Sequence, residues 1–193
     1  RQPLTLTGPP DAVIRPPLGA PPGWTAVSVS GTHDVRIHGL SIAGGSGEAL
    51  ARGLSVEQGE VQVFGLRLSG ATEAGIEVGE GGHATLSGII VTDNTGTAIL
   101  VGRGARLRLE HSVVLRNGTT AGRLRPGVVI ADGAEVVLFG SAIGDNGGPA
   151  VVGWPQADLP ALLRDNLIRP VPRAPQRRVP ATRARPAAGP AGP

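Results

Sequence analysis

The sequence predicts an all-β fold, a solenoid in which each turn contains three short strands. One segment of similar pattern recurs at intervals of 20 to 29 residues, a period typical of solenoids. Within each copy, apolar and polar residues alternate with the period of two expected for strands. Each copy restarts the same order, so its strands must pair with their equivalents one turn above and below. The prediction is a right-handed parallel β-helix of about five to six turns.

The alternation also predicts which side chains fill the interior. In each copy two aliphatic residues of the first strand and two of the second point inward. The first-strand pairs are Val27/Val29, Leu54/Val56, Ile76/Val78, Ile99/Val101 and Val128/Ile130. The second-strand pairs are Val35/Ile37, Val61/Val63, Ala84/Leu86, Leu107/Leu109 and Val136/Leu138. Aromatic residues make up 2% of the chain, so aliphatic residues must form this core.

A bend closes each copy, and its last position forms a column. In chain order that column contains Gly45, Ala71, Asn94, Asn117, Asn146 and, in a weaker sixth copy, Asn166. Asn and Gly tolerate a left-handed backbone. Stacked Asn side chains can also hydrogen-bond along the column. We therefore interpret Asn94, Asn117 and Asn146 as a structural ladder.

Four regions follow from the pattern. Residues 1–23 hold a partial first turn and a Pro-rich loop, and residues 24–150 form the parallel β-helix. Residues 151–168 form either a last turn or a short capping helix with Asp158 as its N-cap. Residues 169–193 are a Pro/Ala/Arg tail that is predicted to be disordered.

Composition excludes several classes of protein. The chain has no Cys, which excludes disulfides and thiolate metal sites, and no apolar run is long enough to cross a membrane. It also lacks Met and begins with Arg, so we expect it to be a fragment or a processed form. The net charge of +3 comes from six Arg at or after position 169, while residues 1–168 are acidic. We therefore do not expect the chain to bind nucleic acid.

The repeat resembles the pectin-lyase-like superfamily of right-handed parallel β-helices. The resemblance covers about residues 4–150 and depends on the three-strand turns, the Asn ladder and the opening Leu-Thr-Leu-Thr-Gly-Pro-Pro-Asp-Ala-Val-Ile at positions 4–14. It implies a bacterial protein that is secreted, periplasmic or at the cell surface. The superfamily includes polysaccharide lyases, hydrolases, esterases, epimerases, tailspikes and adhesins, so the resemblance is specific for fold and not for activity.

By the same resemblance, catalysis would use the outward face of the first strands. That column contains Ser28, Ser55, Glu77, Leu100, Val129 and Val152. It has a single carboxylate, whereas glycoside hydrolysis needs two, and lyases are expected to need several acids for calcium together with a base. We therefore predict no catalytic residues, no metal and no cofactor, and favour a noncatalytic structural or binding module over an enzyme. The alternative is a carbohydrate-active enzyme, or its inactive remnant, that acts on an acidic glycan.

The outward face of the second strands is more polar. The candidate ligand-binding residues are Glu60, Gln62, His83, Arg106 and Arg108, with Arg123 and Arg125 from an insertion at residues 119–126. An acidic glycan could be held by the Arg side chains, with Phe64 as a stacking surface. The alternative interpretation is a solvated sheet face with cross-strand charge pairs. A metal site formed by Asp34, Glu60 and His83 is unfavoured, because ligands in one straight column do not converge.

The later turns carry outward-facing aliphatic residues. They are Leu100, Val129 and Val152 on the first strands and Ile90, Val113, Ala142 and Leu162 on the third. Such a surface predicts packing against a protein partner or a second copy of the chain. The predicted partners are therefore a polysaccharide or a protein, with self-association through this aliphatic face.

Overall fold

The computed structural model describes residues 3–9, 11–45, 50–120 and 122–169. Of the predicted disordered tail, residues 169–193, all but the first lie outside the described residues; Arg169 is described, and its N–H donates to Ile143 O at 2.9 Å. In chain order the elements are β1 (Leu4–Thr7), β2 (Val13–Ile14), β3 (Trp24–Ser30), β4 (Val35–His38), β5 (Ser41–Ala43), β6 (Leu50–Glu57), β7 (Glu60–Phe64), β8 (Arg67–Ser69), β9 (Ala74–Val78), β10 (His83–Ser87), β11 (Ile90–Thr92), β12 (Thr97–Val101), β13 (Arg106–Glu110), β14 (Val113–Leu115), β15 (Thr119–Thr120), β16 (Arg123–Leu124), β17 (Val128–Ile130), β18 (Glu135–Phe139), β19 (Ala142–Gly144), β20 (Val151–Val152), a 3₁₀ turn (Gln156–Asp158), α1 (Leu159–Asp165) and β21 (Leu167–Ile168).

Three parallel sheets enclose the interior, as the repeat predicts. The first sheet has the order β3-β6-β9-β12-β17-β20, the second β1-β4-β7-β10-β13-β18 and the third β2-β5-β8-β11-β14-β19-β21. Each strand pairs with its equivalent in the neighbouring turn; Ile76, for example, lies opposite Leu54 on one side and Ile99 on the other. The all-β parallel solenoid of about six turns is thereby confirmed. An antiparallel hairpin, β15–β16, projects from the fourth turn.

The predicted interior residues form one continuous aliphatic core. All twenty are buried except Val27 and Val136, which are partly buried and pack against the core near its two ends. Alternation places them in rows that run along the axis, so each side chain contacts its equivalents above and below. Complete burial of one such side chain stabilises the fold by about 1.5–3 kcal/mol.

The Asn column is buried and its side chains hydrogen-bond from turn to turn. Asn94 Nδ2 donates to Asn117 Oδ1 at 2.7 Å, and Asn117 Nδ2 donates to Asn146 Oδ1 at 3.0 Å. Each Oδ1 also accepts a backbone N–H from the turn before it; Asn94 Oδ1, for example, accepts the N–H of Ala71. Because each amide reaches back by one turn, the first turn of the column needs no Asn of its own.

The expectation that these Asn residues adopt the left-handed conformation is wrong. The positive φ angles belong to the residue immediately before each Asn, namely Asp93 (58°), Arg116 (57°) and Asp145 (50°). The left-handed residue turns the chain and directs the next side chain inward. Asn therefore occupies this column because its buried side-chain amide forms hydrogen bonds, and not because Asn tolerates a left-handed backbone.

Asn166 does not belong to that column. Its Oδ1 accepts the N–H of Ser141, whose Oγ accepts the N–H of Ser112, whose Oγ accepts the N–H of Ile89. These bonds define a second polar ladder, at the bend between the second and third strands. The sequence alignment is shifted here because α1 occupies the place of the second strand in the last turn.

For residues 151–168 the sequence predicted either a last turn of the solenoid or a short capping helix, and the structure contains both. Helix α1 packs on β18, and β21 then pairs with β19 in the third sheet. Asp158 is the N-cap residue, but its side chain makes no capping hydrogen bond. Leu162 lies within α1 and is buried, so its prediction as an outward residue of the third sheet is wrong; Leu167 holds that position. Among the described residues, no helix has the length and apolar composition needed to cross a membrane.

Candidate ligand-binding face

The outward face of the second sheet presents its side chains in three straight columns. The first contains Glu60, His83, Arg106 and Glu135, one on each of four adjacent strands. The second contains Arg36, Gln62, Thr85, Arg108 and Val137, and the third His38, Phe64, Ser87, Glu110 and Phe139. Adjacent strands in a sheet lie about 4.8 Å apart, so neighbours in a column are within reach of one ligand.

A shallow groove of about 240 Å³ crosses this face. Its polar lining comprises Glu60, His83, Thr85, Arg106, Arg108 and Glu135. The parallel register holds the backbone of every lining residue, so the core beneath fixes where each side chain leaves the sheet. The structure thus brings together four of the predicted ligand-binding residues in one groove, and Gln62 lies beside Thr85 on the neighbouring strand.

Two ion pairs neutralise the arginines of the groove. Arg106 binds the Glu135 carboxylate with both Nε (3.0 Å) and Nη2 (3.3 Å), and Arg108 pairs with Glu110 on its own strand. The Arg106 side chain is therefore directed to the later strand, away from Glu60 and His83. All four charged groups except Glu110 are more than half exposed. An exposed pair contributes about 0–1 kcal/mol, so a ligand can displace it at small cost.

Aromatic side chains lie at the border of the groove. His38 stacks on Phe64 with ring centroids 5.0 Å apart and planes 13° apart. His111, at the bend after β13, meets Phe139 edge-on at 5.6 Å and 86°. The sequence pattern places His38, Phe64 and Phe139 in one outward column, but only Phe64 was assigned a stacking role, and His38 and His111 were interpreted as turn or surface residues. The available signal was that the only two Phe residues of the chain occupy equivalent positions in their copies.

The hairpin arginines lie elsewhere. The β15–β16 insertion follows Asn117 and precedes β17, so it projects at the bend between the third and first sheets. Arg125 N donates to Gly118 O at 3.0 Å, and Arg125 O accepts the N–H of Gly148 at 2.7 Å. These bonds fasten the hairpin to that bend. Arg123 and Arg125 therefore do not join the groove of the second sheet.

The outward face of the first sheet carries a cluster that the sequence did not reveal. Arg52 pairs with Glu73 (Nη2 to Oε2, 2.7 Å) and with Glu77. Glu73 precedes β9, and Arg52 lies opposite Ala74, so both carboxylates reach the same guanidinium. Glu77, the single acid of the predicted first-strand column, is thus engaged in an ion-pair cluster.

Aliphatic residues do occupy the outer surfaces of the later turns. Val152 on the first sheet is 40% exposed and Leu167 on the third is 56% exposed. Leu100, Val129, Ile90 and Val113 are partly buried at the equivalent outward positions.

In the part of the chain that the structure describes, no three His, Cys, Asp or Glu side chains are placed to hold a metal ion. Asp34, one member of the metal set weighed from the sequence, lies in a bend with a left-handed backbone (φ 59°). It therefore precedes β4 rather than continuing the first column as a strand residue.

Comparison with known families gives a match over most of the solenoid. A family model described as "Right handed beta helix region" matches residues 22–159. The matched segment covers well over half of the 193 residues and extends from the start of β3 to the start of α1. No curated protein matches the sequence.

Proposed function

This chain belongs to the right-handed β-helix family, and from that premise we propose that it is a noncatalytic glycan-binding module. The ligand face would be the outward surface of the second sheet. The observation that carries the proposal is the groove in which Glu60, His83, Thr85, Arg106 and Arg108 line one surface above a rigid core.

The groove has the physical features of a binding surface for a polymer of hydroxyl groups. Its donors and acceptors are carboxylates, guanidinium groups, an imidazole and a hydroxyl, and they are repeated at strand spacing along one axis. Because the parallel ladder fixes their backbones, only the side chains have to be ordered when a ligand binds. A linear polymer lying along the solenoid axis would meet several of these groups in succession.

A noncatalytic role is supported by the state of the carboxylates. Glycoside hydrolysis requires one carboxyl group to donate a proton while a second acts as base or nucleophile. On the first sheet, Glu73 and Glu77 both pair with Arg52. In the groove, Glu135 and Glu110 pair with Arg106 and Arg108. Each of these four carboxylates faces a guanidinium group, an arrangement that suits ligand binding better than the paired acid and base of a hydrolase.

The test is a binding titration with acidic and neutral oligosaccharides, monitored by calorimetry, together with analysis of the ligand after incubation. We expect binding without cleavage. The double variant Arg106→Ala/Arg108→Ala should weaken it about 5- to 50-fold, the effect of one or two lost charge-assisted hydrogen bonds. Arg67→Ala, an exposed arginine on the third sheet, is the matched control and should bind as the wild type does.

The alternative function is a carbohydrate-active enzyme that uses the first sheet. Arg52, Glu73 and Glu77 form the cluster that favours it. It requires cleavage of a polyuronate or related glycan, abolished by Glu77→Ala and unaffected by changes in the groove. That result would replace the binding proposal.

We also propose that the chain belongs to an exported bacterial protein and acts outside the cytoplasm. Its support is the resemblance of residues 4–150 to secreted and periplasmic β-helix proteins. A protein partner or a second copy at the aliphatic surface of Val152 and Leu167 would be compatible with this role. Fractionation of the native host, followed by detection of the protein outside the cytoplasm, tests the location.

A further inference from the structure

The placement of the aromatic residues is unusual for a structural surface. The chain has two Phe and no Tyr, and both Phe side chains lie outside the core, 39% and 48% exposed. They share one column of the second sheet, at Phe64 on β7 and Phe139 on β18. The buried hydrophobic core is aliphatic, and of the aromatic residues Trp24 and Trp154 pack against it while the two Phe do not.

Each ring is held in place by a histidine. His38 stacks on one face of Phe64 with the two planes nearly parallel, which leaves the other face of the Phe64 ring for a ligand, and His111 meets Phe139 at nearly a right angle. These two His–Phe pairs are the aromatic platforms of this face. Rings fixed in this way lose little side-chain freedom when a ligand covers them.

The two platforms lie three strand spacings apart along the solenoid axis. Ser87 and Glu110 separate them in the same column. At about 4.8 Å per step the separation is roughly 14 Å. Between the platforms, Thr85 and the Arg108–Glu110 pair provide donors and acceptors at the border of the groove. The spacing is long enough for several pyranose rings of one chain.

We propose that this column binds an unbranched neutral glycan along the solenoid axis, with one sugar ring on Phe64 and another on Phe139. The inference rests on the proposed binding function and adds the ligand class, its direction and the residues that hold it. The apolar C–H face of a pyranose covers an exposed aromatic ring, while its hydroxyl groups bind the polar floor between the two platforms.

Charge balance on this face favours a neutral ligand over an acidic one. The charged strand residues of the second sheet are Arg36, Arg106 and Arg108 against Glu60, Glu110 and Glu135. The three positive charges equal the three negative charges, so the face has no excess of positive charge to attract a polyanion.

The experiment measures affinity for cello-, xylo- and manno-oligosaccharides of increasing length, with oligogalacturonates as the acidic comparison. We expect affinity to increase with length until a neutral chain spans both platforms. Phe64→Ala and Phe139→Ala should each weaken binding of the long chain about 3- to 10-fold, the value of one aromatic contact. Phe64→Tyr should retain binding. Leu167→Ala, which removes an exposed apolar side chain on the third sheet, is the matched control.

The outcomes separate this inference from the function on which it rests. If oligosaccharides bind but neither Phe variant weakens them, or if acidic chains bind better than neutral ones, the aromatic site is wrong and the binding module stands. If no member of either panel binds, both are wrong. Unchanged thermal unfolding of the Phe variants shows that a loss of affinity comes from the lost contact and not from a loss of fold.

Discussion

Replacing Asn117 with Ala removes the central amide of the buried ladder. The side chain is completely buried, and its Oδ1 accepts both the backbone N–H of Asn94 (3.2 Å) and the Nδ2 of Asn94 (2.7 Å). Its own Nδ2 donates to Val91 O at 2.9 Å and to Asn146 Oδ1 at 3.0 Å. The alanine variant cannot make any of these bonds, and no solvent reaches the site to replace them.

The loss of stability in Asn117→Ala depends on how many buried polar groups lose a hydrogen-bond partner. Asn94 keeps a bond from Nδ2 to Thr92 O at 3.2 Å, but its backbone N–H loses its acceptor. A buried group without a partner costs about 1–3 kcal/mol, and two to three groups are affected. We therefore expect Asn117→Ala to lower the free energy of unfolding by about 2–5 kcal/mol, a large share of the 5–15 kcal/mol typical of a domain.

The assay is equilibrium unfolding in urea, followed by circular dichroism. Two variants calibrate it. Ser112→Ala in the second ladder removes one acceptor, for the Ile89 N–H, and should cost about 1–2 kcal/mol. Thr95→Ala removes a single long bond of 3.4 Å at an exposed residue and should stay within about 0.5 kcal/mol. If Asn117→Ala unfolds at the same urea concentration as Thr95→Ala, the ladder does not stabilise the fold as argued.

Two further predictions concern ion pairs. Arg116 donates two hydrogen bonds to Asp93, which lowers the pKa of that carboxyl below its ordinary value. Because the folded-state pKa is lowered, the stabilisation is present above the ordinary Asp value and is lost as the pH falls through the folded-state value. Asp93→Asn should therefore be less stable than wild type near neutral pH and equal to it in strong acid, and a difference that is constant with pH contradicts the assignment. Arg52→Ala leaves Glu73 and Glu77 without their shared guanidinium and should cost about 1–2 kcal/mol in urea unfolding, between the values for exposed and buried pairs. Arg67→Ala is the control, and an equal effect of the two changes would refute the role of the cluster.

The sequence predicted the stacked sheets because one physical rule, alternation at period two, decides which side chains are buried. Leu86 and Leu109 could be placed in the interior without coordinates for that reason, and the columns of the second sheet followed from the same register. The rule fails where the chain leaves the repeat. Helix α1 replaces a strand, and Asn166 and Leu162 were consequently assigned to the wrong columns.

The candidate site was predicted less completely than the fold. The columns that hold Glu60, His83 and Arg106 could be derived from the pattern, but side-chain direction could not. Arg106 turns to Glu135 because that carboxylate is the opposite charge on the adjacent strand. The Arg52 cluster was missed because Glu73 precedes its strand, where alternation gives no guidance. Arg123 and Arg125 were grouped with the groove by charge, although their hairpin projects from a different bend.

The most direct test of the central claim is a map of backbone amide chemical shifts during titration with a long neutral oligosaccharide, followed by analysis of the recovered ligand. We expect shifts on the second sheet, along β7, β10, β13 and β18, with the oligosaccharide recovered intact. Shifts centred on Ser55, Glu77 and Leu100 of the first sheet, accompanied by cleavage products, would contradict it.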